Sequence, residues 1–264
     1  MKERFDILLS AYACEPGRGS EPGVGWRWAT ELCRAGHRVH VITRANNRRA
    51  IEAALSAHPV GQLTFSYCDL PAWALWWKRG GVSVHLYYAL WQRRAYRLAR
   101  ALCRSRRFDL VHHVTFGVYR QSSLMGRLGL PFVLGPVGGG ETTPDALRAA
   151  LRPGDRWRER VRDLANRLAG CNPWLRRSLD EASLILCKTE ETLHALPAPC
   201  RVRARQFLEL GIDPPPHGHA VRARTGRRSL AVLFVGRLIH WKGVHLALHS
   251  VAMARARGCE LGFT

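Results

Sequence analysis

Residues 5–43 constrain the fold more than any other stretch. Phe5-Asp-Ile-Leu-Leu-Ser-Ala-Tyr12 reads as a buried strand. Glu15 to Trp26 is a loop with glycines at 17, 19, 23 and 25, and a helix follows to about Ala35, with Gly36 as its stop. Arg38-Val-His-Val-Ile-Thr43 is a second strand. Strand, glycine loop, helix, strand is the opening of a doubly wound parallel sheet.

The same alternation continues. Strands are expected at Leu63–Tyr67, Phe108–Thr115, Pro131–Leu134 and Ser183–Cys187, and Gln206–Leu210 closes the first domain. Helices are expected over 50–57, 122–128 and 155–168. Pro214 to His219 and Arg222 to Arg228 have linker composition, stiff and then charged. Leu230–Val235 then starts a new sheet, Val244–Arg257 is its helix, and Glu260–Thr264 is a last strand. The expected division is a first domain over 1–213, a linker over 214–228 and an incomplete second domain over 229–264. One strand and one helix cannot bury a core alone, so the second domain reads as a truncated stub or one that docks on the first.

Charge narrows the partners. The formal net charge is +21, and of 41 basic residues only Lys2, Lys78, Lys188 and Lys242 are lysine. The arginines are dispersed rather than gathered in one tract, which argues against nucleic acid and leaves anionic substrates, an anionic membrane surface or arginine-rich codon usage. Eight cysteines stand singly, with no Cys-x-x-Cys pair, so neither a zinc site nor a disulfide scaffold is expected. The N-terminus carries no signal peptide and no run is long enough to span a membrane, so a cytoplasmic chain, peripheral to the membrane at most, is expected.

Four stretches carry candidate chemistry. The first glycine loop lies at the carboxyl edge of the first strand, where Gly23 and Gly25 would line a cleft. Its spacing is not that of a dinucleotide fingerprint, and Glu15 and Glu21 would repel a diphosphate, so a sugar-facing or acceptor-facing role suits it better than a phosphate one. A dinucleotide oxidoreductase is disfavoured further, because no acid closes the second strand at Thr43-Arg44. Gly135-Pro-Val-Gly-Gly-Gly-Glu141 ends the fifth strand on the same edge: Gly138, Gly139 and Gly140 leave room for a ligand against backbone, and Glu141 is placed to bond sugar hydroxyls. His112 and His113 end the fourth strand, and alternation sends one toward the cleft and the other into packing. Finally, Leu233-Phe-Val-Gly-Arg-Leu-Ile-His-Trp-Lys-Gly-Val244 is a strand–loop–helix unit with Arg237 and Lys242 where a phosphate would sit.

A fifth stretch points elsewhere. Trp73, Trp76 and Trp77 precede Lys78-Arg79, and on the helix after them Tyr88, Trp91, Ala95, Leu98 and Leu102 share one face while Arg93, Arg97, Arg100 and Arg104 share the other. Aromatics beside cations suit a membrane interface; the alternative is a helix packing its apolar stripe on the sheet.

Together, Ser20–Trp26, Asp109–His113, Gly135–Glu141, Gly211-Ile-Asp213 and Val235–Gly243 resemble the retaining GT-B glycosyltransferases of the large family four type. The resemblance implies a Rossmann-like domain plus the first βα unit of a second Rossmann-like domain. It implies a nucleotide diphosphate sugar as co-substrate, a glycan or lipid-linked acceptor, and neither metal nor bound cofactor. Arg237 and Lys242 would neutralise the departing diphosphate, while His113 and Glu141 would be the catalytic-side contacts to sugar or acceptor. Two departures stand out: Val114 occupies the position of the usual second histidine, and the family's paired-glutamate segment does not occur before Thr264. A non-catalytic basic domain that binds anionic membrane is the alternative.

Overall fold

The computed structural model describes residues 4–71, 81–209, 211, 230–236, 238, 239 and 242–264. They fall into two compact units. One is Met1–Glu141 with Asn166–Leu210, the other Thr142–Ala165 with Gly211–Thr264.

The first unit is a seven-stranded parallel sheet: β1 Asp6–Ala11, β2 Arg38–Thr43, β3 Leu63–Tyr67, β4 Leu110–Thr115, β5 Phe132–Val137, β6 Leu184–Cys187 and β7 Ala204–Gln206. Its spatial order is β3-β2-β1-β4-β5-β6-β7, so the winding reverses between β1 and β4. Pairing there runs from Ile7 opposite Leu110 to Ala11 opposite Thr115, with an irregularity between Ser10 and Ala11. The central strands are buried on both faces, which is why they read as near-continuous apolar runs. Alternation splits β1 between two cores. Leu9 and Ala11 pack with Val24, Ala29, Val39, Val41 and Ile51 beneath the helices α1 (Ser20–Arg34) and α2 (Arg48–Ala57). Leu8 packs on the opposite face with Tyr88, Trp91, Ala95, Ala99 and Phe132.

The helix over that opposite face is α3, Gly81–Ser105. Tyr88, Trp91 and Ala95 are fully buried, Leu98 and Leu102 pack against the same cluster, and Arg93, Arg97, Arg100 and Arg104 are exposed. The Trp91 indole also donates to the Cys68 carbonyl at 2.9 Å. This stripe is core, and the membrane alternative for it gives way to packing on the sheet. Trp73, Trp76 and Trp77 lie outside the described residues.

Other differences from expectation have local causes. The helix expected over 122–128 is a 3₁₀ turn, Met125–Leu128, closed by Gly129 in the left-handed region (φ 74°). After α4 (Asp145–Arg148) and α5 (Pro153–Ala169) comes an unexpected helix, α6 (Pro173–Asp180), capped by the Asn172 side chain accepting from the amides of Trp174 and Leu175. Another, α7 (Glu190–Ala195), is capped by Thr189, and the short α8 (Ala198–Arg201) follows. All eight cysteines are unbridged, and only Cys14, Cys68, Cys187 and Cys200 are buried.

In the second unit, β8 (Leu230–Val232) pairs in parallel with β9 (Leu261–Phe263), and α9 (Val244–Ala256) connects them. None of the three contributes a fully buried residue. The expected linker over 214–228 lies outside the described residues.

Candidate functional site

A parallel sheet whose winding reverses between β1 and β4 opens a crevice at the carboxyl ends of those strands. There the Ala13 amide donates to Thr115 Oγ1 at 2.9 Å, and the Gly117 amide donates to Glu21 Oε1 at 3.0 Å. Glu21 sits in the first turn of α1, so one carboxylate complements the helix N-terminus and fixes the β4 loop together. Glu15, the other acid of the loop, pairs with Arg18 at 3.1 Å.

Gly23 and Gly25 lie in the first turns of α1. A Cβ on Gly23 would fall 2.1 Å from the Arg18 carbonyl oxygen, and one on Gly25 2.1 Å from that of Ala13. Their physical role is close approach of helix and preceding backbone.

His113 is likewise sealed. It is 3% exposed, with Nε2 bonded to the Tyr88 hydroxyl at 2.7 Å and Nδ1 to Ser10 Oγ at 3.1 Å. The Gln92 amide donates to the same Tyr88 hydroxyl. Burial pushes the His113 pKa down to about 3, with His112 adding to the effect, so the ring is neutral at pH 7. His112 is also buried; its Nε2–H donates to the Gly135 carbonyl at 2.8 Å, and burial lowers its pKa to about 4. Neither imidazole faces solvent, so the expected division into one cleft histidine and one packing histidine is replaced by two core histidines.

Phe116 occupies the surface position above them. It is half-buried in the left-handed region at φ 66°, stacked on Tyr88 at 4.2 Å and edge-on to Tyr12 at 5.6 Å, with the exposed His85 at 5.3 Å. A non-glycine residue held there stores backbone strain, which concentrates at functional sites. Beside it, Arg44 at the end of β2 lies 4.9 Å over the Tyr12 ring and 3.7 Å from Asp69 Oδ2, and the Tyr87 hydroxyl donates to the same carboxylate. None of these was singled out from the sequence as a site residue. The available signal was their shared position just beyond the strands.

Glu141 stands at the carboxyl edge beyond β5, half-buried. Its carboxylate accepts from the Gly139 amide at 2.9 Å, Thr189 Oγ1 at 2.8 Å and Thr192 Oγ1 at 3.0 Å. Burial raises its pKa, but these bonds and its own amide outweigh that, and the carboxyl lies below its ordinary value. The glycines before it have separate duties. A Cβ on Gly140 would meet Thr192 Cα at 2.6 Å, Gly139 holds φ 97°, and Gly138 faces the Lys188 side chain. Lys188 in turn pairs with Glu209 at 2.7 Å. The loop is thus a bonded junction of β5 and α7, built around the Glu141 carboxylate.

In the second unit, Lys242 is exposed on the turn that opens α9, and Gly243 caps the helix at φ 69°. Arg237 lies outside the described residues. Among the described residues no three His, Cys, Asp or Glu side chains converge as metal ligands would. Among them, too, no helix is long and apolar enough to cross a membrane. A cavity of about 510 Å³ lies elsewhere, against α6, lined by Pro173, Arg176, Arg177, Asp180 and Glu181.

The sheet order defines an α/β protein of the doubly wound kind. No family model matches the chain, and no curated protein matches it. Among solved structures it is similar to the calicheamicin glycosyltransferase CalG4, at 18% identity and a TM-score of 0.42, over 90% of this chain and 59% of that one. It is also similar to the glycotransferase of kitacinnamycin, at 14% identity and 0.45, over 99% and 65%. A third is the spinosyn rhamnosyltransferase SpnG in complex with thymidine diphosphate, at 19% and 0.42, over 98% and 64%. The chain thus spans 59–65% of the length of these structures.

Proposed function

We propose that the chain serves glycosyl transfer from a nucleotide diphosphate sugar to a hydroxyl of a glycan or lipid-linked acceptor. The observation that carries this is the turn before α9: an exposed lysine and a left-handed glycine opening a helix after the β8 segment. First-turn amides and an ammonium there suit a diphosphate. In this reading Lys242, with Arg237, neutralises charge as the nucleotide leaves, the anomeric carbon is attacked from the face it leaves, and no metal is required. On the first unit, Glu141 takes the hydroxyl-binding role, and the surface around Phe116 and Arg44 replaces His113 as the acceptor-facing wall.

Calorimetric titration with uridine and thymidine diphosphates tests this. Lys242→Ala is expected to weaken binding about tenfold, the worth of one charge-assisted contact. Equal affinity in the variant removes the lysine from the site, and failure of the unaltered chain to bind any nucleoside diphosphate rejects the reading.

A further inference from the structure

The helix α5 is mounted with its polar face inward. Glu159 is 3% exposed and accepts from Arg162 at 2.5 Å and from the Thr143 hydroxyl. Asp163 pairs with Arg148 at 2.7 Å, and the Asn166 side chain accepts from Arg120. The opposite face is apolar and points to solvent. Trp157, Val161, Leu164 and Leu168 are 66%, 47%, 55% and 55% exposed. Their spacing of four, three and four residues aligns them on one stripe. Arg156, Arg158, Arg160 and Arg167, all exposed, lie along its two flanks.

A tryptophan and three aliphatic residues in a row are a contiguous patch, which water disfavours and which marks an interaction surface. The flanking charge selects the partner. A second copy would set arginine rows against arginine rows on a chain of net charge +21. An anionic bilayer satisfies both features: tryptophan and leucine enter the headgroup boundary, and arginines meet lipid phosphates. From this geometry we infer that α5 is an interfacial helix that docks the protein on anionic lipid through Trp157, Val161, Leu164 and Leu168. The proposal does not rest on Trp73, Trp76 and Trp77 and is independent of glycosyl transfer.

Sedimentation of the full chain with vesicles tests the inference, comparing equal parts phosphatidylglycerol and phosphatidylcholine with phosphatidylcholine alone. The chain is expected to pellet with the mixed vesicles only. The triple variant W157S/V161S/L164S should lower the bound fraction about tenfold while keeping its circular dichroism spectrum. The variant R156Q/R160Q/R167Q should bind more weakly and with a flatter salt dependence. Unchanged pelleting of the serine variant overturns the inference, as does absence of pelleting by the unaltered chain or equal pelleting on neutral lipid. A dimer in sedimentation velocity that the serine substitutions dissolve would assign the stripe to a second copy instead. The variant W73A/W76A/W77A, run alongside, should retain binding; if it alone abolishes pelleting, α5 is not the docking element.

Discussion

The helices α3 and α5 are both arginine-rich and amphipathic, yet they face opposite ways. In α3 the aromatic stripe through Tyr88 and Trp91 is sunk into the sheet and its arginines stand in water. In α5 the stripe through Trp157 stands in water and the carboxylates are sunk. Periodicity alone cannot separate the two, because both satisfy the same helical spacing. What each helix meets decides: α3 lies over a broad apolar sheet face, whereas α5 meets Thr143, Arg148 and Arg120. The seat of α5 is also less complete, since Arg162 Nε, Asp163 Oδ1 and Asn166 Nδ2 are buried there without a hydrogen-bond partner among the described residues.

The sharpest way to break that contrast is Trp91→Ala. The indole is fully buried and bonded to the Cys68 carbonyl. Its loss should cost about 3–5 kcal/mol in urea unfolding, the range for large aromatics removed from a core. A cost below about 1 kcal/mol would mean that α3 does not seal the sheet.

Next in size is Glu159→Ala, which strips the inward face of α5. Arg162 and the Thr143 hydroxyl lose their acceptor, and because Arg162 is part-exposed the cost is set at about 2 kcal/mol rather than the full penalty for a broken buried pair. No measurable loss would show that the polar face does not hold the helix.

Acidification separates what lies under the two helices. Beneath α3 the polar group is His113, neutral and bonded to Tyr88. Its folded pKa of about 3 lies below the unfolded value near 6.5, so the unfolded chain binds the proton first. Stability is therefore whole above about pH 6.5 and falls as pH drops from there toward 3, by about 2 kcal/mol between pH 7 and pH 5. His40, held by Thr64 and Ser66 and lowered to about 4 by burial and Arg106, falls in the same direction. Urea midpoints across that range should flatten in His113→Gln, and an unchanged slope would show that His113 is hydrated.

How far this was legible in the sequence differs between the sheet and its edge. The order of elements followed from apolar runs bounded by glycine, because a strand buried on both faces leaves a continuous signature. The helix at Pro173–Asp180 was also readable in principle, from Asn172-Pro173 as cap and first turn. The site was less legible. His113 looked catalytic by its place at a strand end, but which side of a sheet is covered depends on a helix 25 residues away carrying Tyr88. Gly23 and Gly25 looked like ligand clearance, and only the carbonyls of Arg18 and Ala13 show what they clear. Phe116 announces itself through a dihedral angle that spacing does not encode.

The smallest expected effect is the most discriminating. Trp157→Ser removes as large a side chain as Trp91→Ala, yet the Trp157 indole is 66% exposed where that of Trp91 is fully buried. Its stability change should lie within about 0.5 kcal/mol of zero, as for surface substitutions generally. Equal helical spacing would then carry unequal weight in folding at two tryptophans, and the weight absent from folding at Trp157 would be sought on the vesicle surface. A large loss at Trp157 would mean that the stripe is already covered within the protein, and the docking surface and the contrast between the helices would fall together.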